Sequence, residues 1–184
     1  MANVQEVVDL IIEWAHGSGE HITHMWLQKL LYFAQGQHLA RTGTPLFPDK
    51  IEAWQYGPVV PDIYHKYKVC GNSPIPKTDE ETVNNMTTAE NDLLYDVLRE
   101  YGIYNANELM RQSHKTEPWI KSYNGERHQE IPLSDMREYF SDPSRKIKSF
   151  NEMLSEMAFE EVTKRDADGY LILDKEDADD NWEL

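Results

Sequence analysis

The stretch Thr23–Thr42 constrains this chain more than any other. Leu27, Leu30, Leu31, Ala34 and His38 recur at spacings of three and four, and Trp26, Leu30, Phe33 and Ala40 widen that face into a broad apolar arc. Only Gln28, Lys29, Tyr32, Gln35 and Gly36 leave a narrow polar strip. A helix apolar over most of its circumference is buried on several sides at once, so the other elements are expected to pack around it. Thr23 suits the N-cap and Gly43 the position just past the end. Gly36 inside the helix costs about 1 kcal/mol relative to Ala, which points to a close neighbour on that side.

The remaining elements follow from caps and breakers. Asn3 and Glu6 have the capping-box spacing, and Val4, Val7, Val8, Ile11 and Ala15 line one face of a helix ended by Gly17. Pro45 and Pro48 exclude helix between Thr44 and Pro48. Ile51–Tyr56 alternates loosely and reads as a short strand, Gly57-Pro58 as a turn, and Pro61 as the first residue of a helix carrying Ile63, Tyr64 and Tyr67. Residues 71–86 are polar and read as a long surface loop. Thr87 with Glu90, and Asn105 with Glu108, open two more helices. Pro118 starts a turn carrying Trp119, Ile120 and Tyr123. His128–Ile131 is a short extended segment that could pair with residues 51–55. Ser134 is expected to cap a helix over Asp135–Phe140, and Asp142-Pro143 to start a last helix with Ile147, Phe150, Leu154, Met157 and Val162 on one face. The expected fold is mainly α: a helical bundle of about seven helices around the buried helix 23–42, with at most a two-stranded β element. Residues 1–165 read as one domain and 166–184 as an acidic tail.

Charge and composition bound the function. No apolar run reaches eighteen residues, and the N-terminal stretch carries Glu6 and Asp9 rather than a basic region, so neither a membrane span nor a signal peptide is expected. Cys70 is the one cysteine, which suits a reducing cytoplasm. The net charge is −15, of which residues 166–184 hold eight acids and one Lys. A chain this acidic is repelled by nucleic-acid phosphate unless it has a basic patch. Lys146, Lys148, Lys164 and Arg165 alternate with Glu152, Glu156, Glu160 and Glu161, an ordinary mixed-charge face. DNA binding, autoregulatory or otherwise, is therefore not the leading reading.

No residues assemble into a recognisable catalytic centre. His21 and His24 stand three apart but lack a zinc pattern around them, and read as surface or capping residues. His38 reads as a hydrogen-bonded core histidine. Cys70 sits at a helix end, where carbonyl dipoles raise a thiol pKa. Phosphate-loop, dinucleotide and nucleophile-elbow motifs are absent. A hydrolase or metal enzyme using His38, His65 or His114 is the remaining enzymatic alternative; no catalytic residue, metal or cofactor is assigned.

Two features suit a partner. Trp54, Tyr56, Tyr64 and Tyr67 cluster around Gly57-Pro58, either as core or as interface anchors of the kind that dominate binding hot spots. The tail is either solvated and without fixed structure or a lure for a basic partner, with Tyr170, Leu171, Ile172 and Trp182 as apolar anchors and Asp177 and Asp180 among its charges.

Leu27–Gly36, then Gly43–Phe47, then Ile51–Val60 with its Trp54-Gln55-Tyr56-Gly57-Pro58-Val59 core, then Ser113–Trp119, resemble the Panacea domain, also called SocA-like or phage-associated GepA-like. Leu30, Tyr32, Phe33, Trp54, Tyr56, Gly57, Pro58, Val59, His114, Pro118 and Trp119 carry the resemblance, which runs from about residue 2 to about residue 165. It implies a small helical bacterial or phage antitoxin that neutralises a cognate protein toxin encoded beside it by direct binding. Toxins of the family include nucleotide-synthetase-like enzymes that modify RNA ends and small membrane-active proteins. One branch instead acts as an adaptor that delivers its toxin to a Clp-type protease. The acidic tail departs from the family pattern.

Overall fold

Thr23 caps the central helix, α2 (His24–Thr42): its backbone is extended and its Oγ1 accepts from Trp26 N at 3.4 Å. Gly43, at φ 76°, closes the other end in the left-handed conformation that glycine adopts without a Cβ penalty. The computed structural model describes residues 1–77, 84–125 and 129–163. His128 and all residues from 164 onward, the acidic tail included, lie outside that description.

Two compact units divide the chain, Met1–Ile147 and Lys148–Leu184. In the first, α1 (Val4–Gly17), α2, a hairpin of β1 (Glu52–Trp54) and β2 (Gly57–Val59), α3 (Pro61–Tyr67), α4 (Thr88–Tyr101), α5 (Ala106–Ser113), α6 (Glu117–Ser122), β3 (Gln129–Glu130) and α7 (Leu133–Phe140) follow in order. The second contains α8 (Phe150–Thr163). The protein is mainly α, as its periodicities require.

The capping boxes at Asn3, Thr87 and Asn105 are all formed. The expected pairing of residues 129–131 with β1 is also present: Glu52 lies opposite Glu130, Ala53 opposite Gln129, and Ile131 N donates to Ile51 O at 2.8 Å. The sheet order is β2-β1-β3, antiparallel throughout. That is one strand more than expected, because Gly57-Pro58 is strand and the turn is Gln55-Tyr56. Pro58 lacks an N–H but sits on the edge strand, where none is needed.

Two boundaries move. α7 starts at Leu133 behind Pro132, without a side-chain cap, so Ser134 lies inside it. Asp142 caps only a 3₁₀ turn, accepting from Ser144 N at 2.9 Å, and α8 starts eight residues later behind Ser149 and Glu152. Ile147 therefore precedes α8, and Phe150 and Leu154 are exposed rather than facing inward. The loop after Gly71 is also less superficial than its composition suggests: Ile75 is buried and its N–H donates to Ile22 O at 2.8 Å.

α2 is the hub. Every residue from Trp26 to Leu39 is buried. α4, α5 and α7 pack along it, with α1, α3 and β2 completing the surround. Gly36 permits this: a Cβ there would lie 2.3 Å from the buried Phe140 ring on α7. Phe140 also meets Tyr32 and Phe33 edge-on at 5.6 and 6.1 Å, and Phe33 stacks on Tyr101 of α4 at 4.2 Å.

The expected polar strip of α2 does not face water. Gln28, Lys29, Tyr32 and Gln35 are each at most 2% exposed. With the apolar arc already covered, the strip is covered by chain segments that offer backbone partners to it. Gln35 accepts from Leu46 N at 2.8 Å and donates to Phe47 O at 3.0 Å. Gln37 donates to Arg145 O at 2.8 Å, and His38 Nδ1 donates to Thr44 O at 2.7 Å. The hub is stitched to its loops through its polar residues.

Candidate functional site

The β1–β2 hairpin lies over the N-terminal half of α2. Trp54 pairs with Gly57 across the two-residue turn. Gly57 has φ 96°, and a Cβ on it would meet Lys29 Nζ and Ser113 Oγ, each at 2.8 Å. Glycine is required there twice over, for its backbone and for the amine and hydroxyl packed against it. Lys29 Nζ donates to Pro58 O at 2.8 Å, and Gln28 Oε1 accepts from Val60 N at 2.7 Å. Adjacent helix residues thus hold a carbonyl of β2 and the N–H of the residue just after it.

Around this floor runs a collar of half-buried rings. His24, the first residue of α2, meets Tyr64 edge-on at 5.7 Å, and Tyr64 meets Trp54 at 4.8 Å. On the other side His114 stacks on Trp119 at 4.1 Å, and Trp119 on Tyr123 at 4.8 Å. Trp119 Nε1 donates to Trp54 O at 3.1 Å, which joins the two sides. Behind the collar Thr116 Oγ1 donates to Ser113 O at 2.7 Å. Its proton is thereby committed, so Tyr32 O–H is the donor in their 2.7 Å contact.

The electrostatics are unusual for an acidic protein. Lys29 is 1% exposed, and burial pushes its ammonium down from 10.5 to about 7. Burial, and then the Lys29 charge, hold both His24 and His114 below the ordinary histidine range. Among the described residues, His24 Nδ1, Gln28 Nε2 and His114 Nε2 are buried nitrogens without a hydrogen-bond partner. The hairpin strands contain one carboxylate, Glu52, which is held by Lys50 Nζ and Trp54 Nε1, each at 2.9 Å. An amine near neutrality among unpaired nitrogens can hold or release a proton and can accept an anionic partner.

The four candidate aromatic anchors separate. Trp54 and Tyr64 belong to the collar, Tyr56 at the hairpin tip is 62% exposed, and Tyr67 is buried in the core with its hydroxyl accepting from Gln5 Nε2 at 3.1 Å. Tyr170, Ile172, Asp177, Asp180 and Trp182 lie outside the described residues. Leu30, Tyr32, Phe33, Pro58, Val59 and Pro118 are buried, and His114 and Trp119 line the collar. His38 is the hydrogen-bonded core residue its position suggests, while His65 is exposed. His24 is half-buried at the first position of α2 rather than fully exposed. Gln28, Lys29 and Ser113 went unrecognised in the sequence; their signal was two long polar side chains interrupting an otherwise apolar helix.

Elsewhere, a hollow of about 370 Å³ is lined by Glu20, His21, Thr23, Trp26 and residues 102–107. Among the described residues, no group of three or more His, Cys, Asp or Glu is placed to hold a metal ion. Likewise, among them no helix is long and apolar enough to cross a membrane.

Comparison with known proteins matches residues 27–120 to the antitoxin SocA-like, Panacea domain. The chain belongs to this family. Its matched span starts three residues after His24 and contains Lys29, the hairpin, His114 and Trp119. Among curated proteins it is similar to Antitoxin SocA of Caulobacter vibrioides (strain NA1000 / CB15N), with 38% identity over 69 residues. That match covers 38% of this chain and 37% of the relative, little more than a third of each. No solved structure matches.

Proposed function

We propose that this Panacea-family protein is an antitoxin that neutralises a protein toxin encoded beside it, by direct stoichiometric binding through the face formed by the hairpin and collar. One observation carries the reading. The span matched to the antitoxin family, residues 27–120, contains the collar residues Trp54, Tyr64, His114 and Trp119, all half-buried, and the hairpin tip exposes Tyr56. Rigid aromatic rings at the edge of burial suit hot-spot contacts. Neutralising a lethal protein calls for nanomolar binding, about −12 kcal/mol, which an interface of roughly 1,600 Å² can supply when its anchors are well buried.

Co-expression tests it. The adjacent gene product is expected to be toxic alone, harmless with this protein, and to co-purify with it. A neighbour that is harmless alone, or that never forms a complex, sinks the proposal. Neutralisation in purified components separates direct binding from delivery to a Clp-type protease, which would protect only where the protease is present. The acidic residues 166–184 enter as a separable part: if they act as a lure, their deletion preserves folding and weakens a salt-dependent interaction. Unchanged protection would exclude them.

A further inference from the structure

We propose that the floor of the collar is a socket for an acidic side chain of the partner protein, with Lys29 as its ionic anchor and the side-chain nitrogens of Gln28, His24 and His114 as additional donors. This rests on the direct-binding reading above and names the chemistry that the partner must bring.

The lining is rich in donors. An ammonium has three N–H bonds to place, and among the described residues Lys29 has one hydrogen-bond partner, Pro58 O at 2.8 Å. Gln28 is 2% exposed; its Oε1 is satisfied by Val60 N, whereas its NH₂ has no partner. His24 Nδ1 and His114 Nε2 are unpartnered on opposite sides. Both imidazoles feel the Lys29 charge, which after burial holds each below the ordinary histidine range. Ser113 Oγ gives its proton to Met110 O at 2.8 Å, and it and Lys29 Nζ would each lie 2.8 Å from a Cβ on Gly57.

The charged and titratable groups of the surrounding elements leave the position of a counter-ion open. α2 contributes Lys29 and His24, α5 His114, α3 Tyr64, and α6 the exposed pair Glu117–Lys121. Glu52 of β1 is already engaged by Lys50 and Trp54. Among the described residues none forms an ion pair with Lys29. Each unsatisfied buried donor is costly, and a carboxylate has about four acceptor positions with which to serve them.

The occupant is argued to be protein-borne. A net charge of −15 repels free small anions, whereas a carboxylate fixed on a docking surface is carried in by its other contacts. The covers over the floor are side chains, those of His24 and Tyr64 on one side and His114 and Trp119 on the other, all half-buried. Turning one of them opens the socket without unfolding a strand. On binding, a carboxylate would restore Lys29 to its charged form, because an opposite charge within a few ångströms favours the ammonium.

Calorimetric titration of the full chain with the neighbour-encoded protein at pH 8, in phosphate and in Tris, tests this. Buffers of different ionisation enthalpy reveal proton uptake, and about one proton per complex is expected. Lys29→Met should abolish that uptake and weaken affinity roughly 100-fold, as losing one partner of a buried charge pair does, while thermal unfolding stays cooperative. If Lys29→Met fails to fold, Gln28→Met, which keeps the amine and removes one donor, should weaken binding roughly tenfold. Undiminished affinity with the same proton count in the folded variants overturns the socket and leaves direct binding intact. Absence of any complex with the wild-type chain instead overturns the direct-binding reading. Sodium acetate added to the free chain should leave the Lys29 side-chain ¹⁵N resonance unmoved. A saturable shift would assign the site to small carboxylates and refute a protein-borne occupant.

Discussion

The two halves of α2 handle buried polarity in opposite ways. Toward the C-terminus, Gln35, Gln37 and His38 all find partners: Gln35 and His38 tie down the loop between α2 and β1, and Gln37 the segment at Arg145. Toward the N-terminus, His24, Trp26 and Gln28 each leave a buried nitrogen unpaired among the described residues, and Lys29 is buried without a counter-ion among them. A satisfied buried network specifies and rigidifies a fold, whereas an unsatisfied one costs stability that folding alone does not recover. Along one helix, the contrast separates residues that hold the protein together from residues available for something else.

Substitutions can break that contrast. Gln35→Ala should have the largest effect, a loss of about 4 kcal/mol, because it strands Leu46 N–H and Phe47 C=O in the interior and leaves a void; a urea midpoint near that of the wild type would contradict the stitching role. Gly57→Ala should cost about 3 kcal/mol, since a Cβ both strains a positive φ and strikes the Lys29 amine. Gly36→Ala should cost about 2 kcal/mol, with Phe140 forced to move outweighing the gain in helix propensity. Both are read from denaturant unfolding.

Lys29→Met sharpens the comparison through pH. The folded amine titrates near 7 and the unfolded one near 10.5, so the unfolded chain binds more protons between those values. Wild-type stability should rise from pH 7 toward pH 10, and the burden of a buried ammonium should be complete below pH 7. The variant should lose that slope, a difference on the order of 4 kcal/mol at most across the window. Unfolding at pH 7 and pH 9 measures it; parallel pH profiles would show that the amine is charged in the fold. Gln28→Met should cost the least, about 1 kcal/mol, because it gives up the Val60 bond but removes an unpaired donor.

The bundle was legible because its signals are local. Capping boxes at Asn3, Thr87 and Asn105, the prolines and Gly43 act within a few residues of themselves, and the width of the apolar arc on residues 23–42 is enough to require neighbours on several sides. Where the local signal was ambiguous it misled: Gly57-Pro58 reads as a turn in any window, and only its pairing with β1 makes it a strand. Ser134 and Asp142 have capping chemistry, but α7 already starts behind Pro132, and Asp142 caps only the 3₁₀ turn that Pro143 opens.

The sequence by itself determined a helical hub, its flanking elements and a motif joining α2 to a Trp-x-Tyr-Gly-Pro hairpin. Which side of the hub stays polar in water, and which polar residues are merely covered, was decided only in the tertiary structure. Periodicity reports the direction of a side chain around its own helix axis, but not whether a strand from thirty residues away lies on top of it. Lys29 is charged and ordinary in the sequence; the hairpin residues Gly57 and Pro58 lie against its amine, and burial brings its pKa down to about 7.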